Sequence, residues 1–187
     1  MNQIHSNQHS AIMARMVEKA PNQKLGRTQV MKLFYFLQEL KGVSLGYDFR
    51  LFTYGPFDSE VLSDLGIACS LKVVEEKTVI YARGYGYDIT PGSYSAKYIQ
   101  KLPPELAERV DTVVCEFGSY TAAKLELLST ILFVDRDLKR SVTTNDGSEL
   151  AEKVYQIKPH FAVPAIQTQI QEMEKQGWLQ SSTPASA

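Results

Sequence analysis

Cysteine is nearly missing from this sequence. The 187 residues hold Cys69 and Cys115, and neither belongs to a paired metal-ligand spacing. Zinc ribbons and fingers are therefore excluded, and the expected state is two buried free thiols in a reducing compartment rather than a disulfide. Histidine is as scarce: His5, His9 and His160. His5 and His9 stand four apart, as a helical metal pair would, but on a polar stretch expected to fray. Carboxylates near His160 would complete a site only by accident of folding, so no metal and no cofactor is expected. Net charge is also lacking, since 20 basic residues against 21 acidic ones leave −1. That balance provides no global field toward nucleic acid or anionic lipid, although a local basic face could still form.

Long apolar runs are absent as well. None approaches the ~18 residues that would suggest a membrane span. The N-terminal MNQIHSNQHS lacks the charged-then-apolar order of a secretory signal. The expectation is a cytoplasmic protein without a membrane segment. No G-x-S-x-G and no P-loop occurs. The glycines of RGYGYD follow a strand pattern without opening a clear helix, so they suit the end of a β wing better than a phosphate cradle.

What the chain does have is helical periodicity. Ile12, Met13, Met16 and Val17 predict a helix over 9–20, closed by Pro21. In RTQVMKLFYFLQELKG, Val30, Leu33, Phe34, Leu37 and Leu40 share a face, while Tyr35 and Phe36 widen the apolar arc and call for contacts on two sides. Burying Phe34 or Leu37 contributes about 1.5–3 kcal/mol each. YDFRLFTY (47–54) reads as an aromatic strand, and Asp58 as the N-cap of a helix carrying Val61, Leu62 and Leu65 inward. LKVVE and TVIYAR, joined at Glu75–Lys77, predict a hairpin, followed by a loop GYGYDITPGS. Pro103–Gly118, 120–134, a helix from an Asp146/Glu149 capping box to Pro159, and Pro164–Gln176 complete the helices. Gly177 would cap the last one, with Trp178 and Leu179 folded back on it.

The expected fold is mainly α with a small β hairpin. A winged-helix-like N-terminal part (9–92) is followed by a helical part (93–179), possible as one continuous domain, with 1–8 and 180–187 flexible. Three stretches, GRTQVMKLFYFLQ (26–38), TYGPF with its acidic helix (53–65) and YDITPG (87–92), resemble the bacterial YwgA-like family. That family is related to the SocA-type antitoxin (Panacea) domain. LELLSTILFV (125–134) and the closing IKPHF…EKQGWL extend the resemblance over most of the chain. It implies a winged-helix-like helical fold in a toxin–antitoxin or phage-defence setting, acting by binding a protein partner rather than by catalysis. The long C-terminal helical half departs from the shorter Panacea pattern.

Two surfaces compete for a functional reading. The helix after YGPF stands where a winged helix presents its recognition helix, yet its polar residues are Asp58, Ser59, Glu60, Ser63 and Asp64, without Lys or Arg. Phosphate contacts come largely from cations, so this face suits a protein, toxin-like or a defence component, better than DNA. Tyr54 and Phe57 flank a proline-stiffened turn and would either anchor that partner or pack inward to aim the helix. The partner-binding set is Tyr54, Phe57, Asp58, Glu60, Asp64 and, from the wide arc of the second helix, Tyr35. The alternative, a winged-helix DNA-binding regulator, would draw on Arg27, Lys32 and Arg50. Arg27 and Lys32 with Glu39 read first as a solvated face. Spacing places Cys115 on the core side of its helix, as a structural thiol.

Overall fold

The computed structural model describes residues 3–81, 84–140 and 147–179. It is mainly helical, with two small two-stranded antiparallel sheets. The chain divides into two compact units, Met1–Arg50 with Phe57–Ala122, and Leu51–Pro56 with Ala123–Ala187.

The first unit opens with α1 (Gln3–Lys19), which starts nine residues before the stripe of Ile12, Met13, Met16 and Val17. The expected frayed start at 1–8 is thus helical from Gln3, and residues 1–2 lie outside the described part. No Pro or Gly breaks the run QIHSNQ, so the turns nucleated by the buried stripe continue through it. α2 (Arg27–Glu39) buries every residue from Val30 to Leu37, the two-sided contact its wide arc called for. Phe36 stacks on Phe117 with ring centroids 4.3 Å apart. Phe117 lies on α5 (Pro104–Phe117), whose Leu106, Val110 and Val113 are buried in the expected phase. α1 packs on α5, on the short α4 (Ser95–Ile99) and on α3 (Ser59–Ser70). Because α4 and α5 pack on α1, the unit runs to residue 122 and not to the expected boundary at 92.

The hairpin of this unit has a different register from the expected one. Strands β3 (Val74–Tyr81) and β4 (Gly84–Pro91) pair antiparallel from Val74↔Pro91 to Tyr81↔Gly84. The other sheet pairs β1 (Arg50–Phe52) with β2 (Gly55–Phe57). Glu75–Lys77, read as the turn, sits inside β3, and the stretch read as a loop, GYGYDITP, is β4. A two-stranded ribbon leaves much of its surface in water, so charged residues are tolerated mid-strand. β4 is also bridged to Leu25, with Leu25 N–H donating to Ile89 O at 3.1 Å and Ile89 N–H to Leu25 O at 2.8 Å. Gly92 closes the hairpin where a Cβ would lie 2.3 Å from the Lys72 carbonyl oxygen, so no larger residue fits.

The second unit holds α6 (from Ala122 to Arg140), α7 (Gly147–Ile157) and α8 (Val163–Lys175). Leu125, Leu128, Ile131 and Leu132 of α6 are buried as the periodicity requires, as are Ile166, Ile170 and Met173 of α8. α6 continues past the expected end at 134. Asp146 of the expected capping box lies outside the described residues, as do 180–187. α7 packs on α8. At the end of α8, Gly177 takes φ +68° and Trp178 N–H donates to Met173 O at 3.0 Å. This is the fold-back expected of Trp178–Leu179, and Leu179 is buried. No helix among the described residues is long and apolar enough to cross a membrane.

Candidate functional site

The YGPF stretch makes the turn and return strand of a tight hairpin. β1 and β2 are joined by Thr53 and Tyr54, and Gly55 takes φ +84°, a backbone state that side chains with a Cβ rarely adopt. Pro56 then fixes its own φ. Gly55 and Pro56 are buried, so the two-residue tip points its side chains to solvent: Tyr54 is 69% exposed and Phe52 57%. Residue spacing leaves Tyr54 between anchor and packing roles; its exposure removes the packing role. Phe57 is half-buried, nearer the orienting role.

Residues 51–54 line a cleft of about 470 Å³ together with Glu126, Ile157, Lys158 and His160. Glu126 projects from α6. Lys158 follows the last turn of α7, where its N–H still bonds to Val154 O at 2.8 Å. The Lys158 ammonium, in a residue only 3% exposed, donates to the Thr53 carbonyl and lies 2.8 Å from Glu126 Oε1. His160 is exposed, with Nε2 3.7 Å from the same oxygen, and its ring packs on Phe161 with centroids 4.3 Å apart. A buried carboxylate and ammonium each lose much hydration, so the pair holds only because each satisfies the other and the ammonium has a carbonyl besides. The pair is formally neutral, and it pins the tip of the hairpin through Thr53. The site thus combines aromatic walls, a satisfied ion pair and one imidazole.

A second polar cluster lies within the first unit. Asp64 on α3 is 2% exposed, and its Oδ2 accepts the Tyr47 hydroxyl at 2.7 Å and lies 2.7 Å from His9 Nδ1. Tyr47 OH is 3.2 Å from the same nitrogen. Phe34 and Phe49 meet the Tyr47 ring edge-on. Burial, then the hydrogen bond to Asp64, pushes the Tyr47 phenol above its ordinary range, because an ionised phenol would lose its hydration and face a carboxylate.

This cluster corrects three expectations. Asp64 is not on a surface offered to a partner; it turns inward, since His9 and Tyr47 supply the partners a buried carboxylate needs. Tyr35 is buried too, its ring edge-on to Phe49 at 5.1 Å, and so does not form a contact surface. His9 is buried in a helix rather than on a frayed segment. The outward face of α3 keeps Ser59, Glu60, Ser63, Gly66 and Ser70. Asp58 is the expected N-cap, with Oδ1 accepting Glu60 N–H at 2.9 Å while Oδ2 accepts Asp48 N–H at 2.7 Å. Glu60 is exposed.

The basic candidates do not come together. Arg27 is held bidentately by Glu76 at 2.7 and 2.6 Å, with its guanidinium carbon 3.5 Å from the centre of the Tyr87 ring. The hydrogen bond to Glu76 pushes the guanidinium further above its usual range, against the opposing effect of burial. Lys32 is buried, which overturns its placement on a solvated face; α2 is enclosed around most of its circumference. Arg50 is exposed and pairs with Asp48 at 2.9 Å. Cys69 is half-buried, and burial pushes its thiol up. Cys115 is exposed, not on the core side: Val113, Val114 and Phe117 take the inward phase of α5.

Residue spacing missed Lys158 and Glu126. The available signal was a lone carboxylate within an apolar helix, and a lysine at a helix end before Pro159. Among the described residues there is no group of three or more His, Cys, Asp or Glu able to hold a metal ion. No protein-family model and no curated protein matches the chain.

Proposed function

We propose that this chain is a cytoplasmic, non-enzymatic regulatory or adaptor protein, of toxin–antitoxin or phage-defence type, that binds a partner protein through the β1–β2 tip and its cleft. The observation that carries the reading is the exposure of Tyr54 and Phe52 at a turn restrained by Pro56 and the Lys158–Thr53 bond. Exposed aromatic side chains presented on a constrained backbone are favoured interface anchors. The toxin–antitoxin or defence setting rests on the YwgA-like resemblance of residues 26–38, 53–65 and 87–92. The DNA-binding alternative has less support, because Arg27 is engaged by Glu76 and Tyr87, Lys32 is buried, and α3 carries no cation.

The test is capture of partners from the native host by the tagged full chain, set beside a Tyr54→Ala/Phe52→Ala variant of the same stability. A protein retained by the parent and lost by the variant supports the reading. Equal retention by both, or specific binding of upstream DNA with a steep salt dependence, removes it.

A further inference from the structure

The floor of the cleft has an acceptor left over. Glu126 is 8% exposed, and its Oε1 takes the Lys158 ammonium. Its Oε2 accepts no hydrogen bond from the described residues and is not among the sealed, unsatisfied atoms, so it opens to the cleft that the residue lines. A group that enters the cleft displaces water from this oxygen and has to supply a donor in its place. The walls are the aromatic side chains of Phe52 and Tyr54 with Ile157. Charge narrows what would fit. The Glu126–Lys158 pair is already neutral, so a charged ligand group would give up its hydration without gaining a net countercharge, and an anion would also face the Glu126 carboxylate. A neutral group with a flat apolar body and one N–H or O–H escapes both penalties.

We infer that the cleft receives a neutral aromatic side chain of the partner protein, a tyrosine or a tryptophan, whose O–H or N–H donates to Glu126 Oε2 while its ring lies between Phe52, Tyr54 and Ile157. This rests on the partner-binding reading above and specifies its chemistry. A cleft of about 470 Å³ admits one such side chain with part of its backbone. Aromatic contacts supply the affinity, and the single acceptor separates a phenol or indole from a bare phenyl ring. His160, 3.7 Å from Oε1, stands beside the entrant and shifts with it.

The experiment titrates the full chain with N-acetyl-tyrosinamide, N-acetyl-tryptophanamide, N-acetyl-phenylalaninamide, N-acetyl-argininamide and N-acetyl-glutamic acid amide, following the Tyr54, Ile157 and His160 resonances by NMR. The tyrosine and tryptophan amides are expected to move all three at millimolar concentration. The phenylalanine amide should bind about tenfold more weakly, the loss of one hydrogen bond to a charged acceptor. Removing Glu126 alone would strand the buried Lys158, so the variant is Glu126→Gln with Lys158→Met, its fold checked by circular dichroism. It should bring the tyrosine and phenylalanine amides to equal affinity. Equal binding of these two amides by the parent, preference for the arginine or glutamate amide, or no shift with any probe overturns the inference. If the probes fail while Tyr54→Ala/Phe52→Ala still abolishes partner capture, the aromatic anchor falls and the interface reading stands. If partner capture itself is unaffected, the interface reading falls with it.

Discussion

Each of the two units carries a buried acid with a histidine beside it, and the two arrangements differ in what surrounds them. In the first, Asp64 sits among His9, Tyr47 and the rings of Phe34 and Phe49, and two partners converge on one oxygen. In the second, Glu126 meets Lys158 on the floor of a cleft and His160 is exposed. The chemistry of the side chains is similar, and enclosure decides the outcome. The enclosed carboxylate joins α1, the segment before β1 and α3 into one core. The open one keeps an oxygen and a histidine within reach of a ligand. A buried titratable cluster therefore marks a functional site only where it also borders space.

The largest effect should come from the enclosed cluster. Asp64→Ala leaves the Tyr47 hydroxyl and His9 buried without their acceptor and is expected to lower stability by roughly 3–5 kcal/mol, read from urea unfolding. Glu126→Ala strands Lys158, but water can enter the cleft, so a smaller loss of about 1.5–3 kcal/mol is expected. Equal losses at the two sites would break the distinction between enclosed and open.

Tyr47→Phe sharpens it through pH. The folded-state phenol is held above its unfolded value of about 10, so the folded state keeps a proton that the unfolded chain releases. The stability from this group is complete below about pH 10 and drains away as pH rises further, by up to about 1.4 kcal/mol per pH unit. Thermal melts between pH 8 and 11 should show a shallower alkaline fall in Tyr47→Phe than in the parent, although the variant is less stable at pH 7. Parallel curves would show that Tyr47 is not the group responsible. The smallest effect is expected of Tyr54→Ala, within about 0.5 kcal/mol of the parent in the same urea experiment. A loss of several kcal/mol there would mean that the tip supports the unit and is not a free contact surface.

Helical phase was legible in the sequence because burial repeats with the turn of the helix. Val30, Leu33, Phe34 and Leu37, then Leu106, Val110, Val113 and Phe117, and Ile166, Ile170 and Met173 are buried where their spacing put them. Asp58 as a cap and Gly177 at positive φ were legible too, since each answers a local backbone need. The hairpin register was not, because β3 carries Glu75, Glu76 and Lys77 mid-strand and the pairing partner Gly84–Pro91 looks like loop by composition. Asp64 and Lys32 were misplaced for one shared reason: a charged residue is read as solvent-facing unless its partner is known. The Asp64 partner His9 lies 55 residues away, and Lys158 finds Thr53 at 105. Of the candidate site, only Tyr54 was legible, through the rigid turn that presents it.

That last separation also governs how the molecule is made. The carbonyl of Thr53 leaves the ribosome about a hundred residues before the ammonium that clasps it, a delay of roughly 5–20 s at ordinary elongation rates. Until then the aromatic loop is untethered, and a chain cut short anywhere before residue 158 never acquires its clasp. The attachment of the tip thus depends on the residue that follows α7, made long after the loop it fixes.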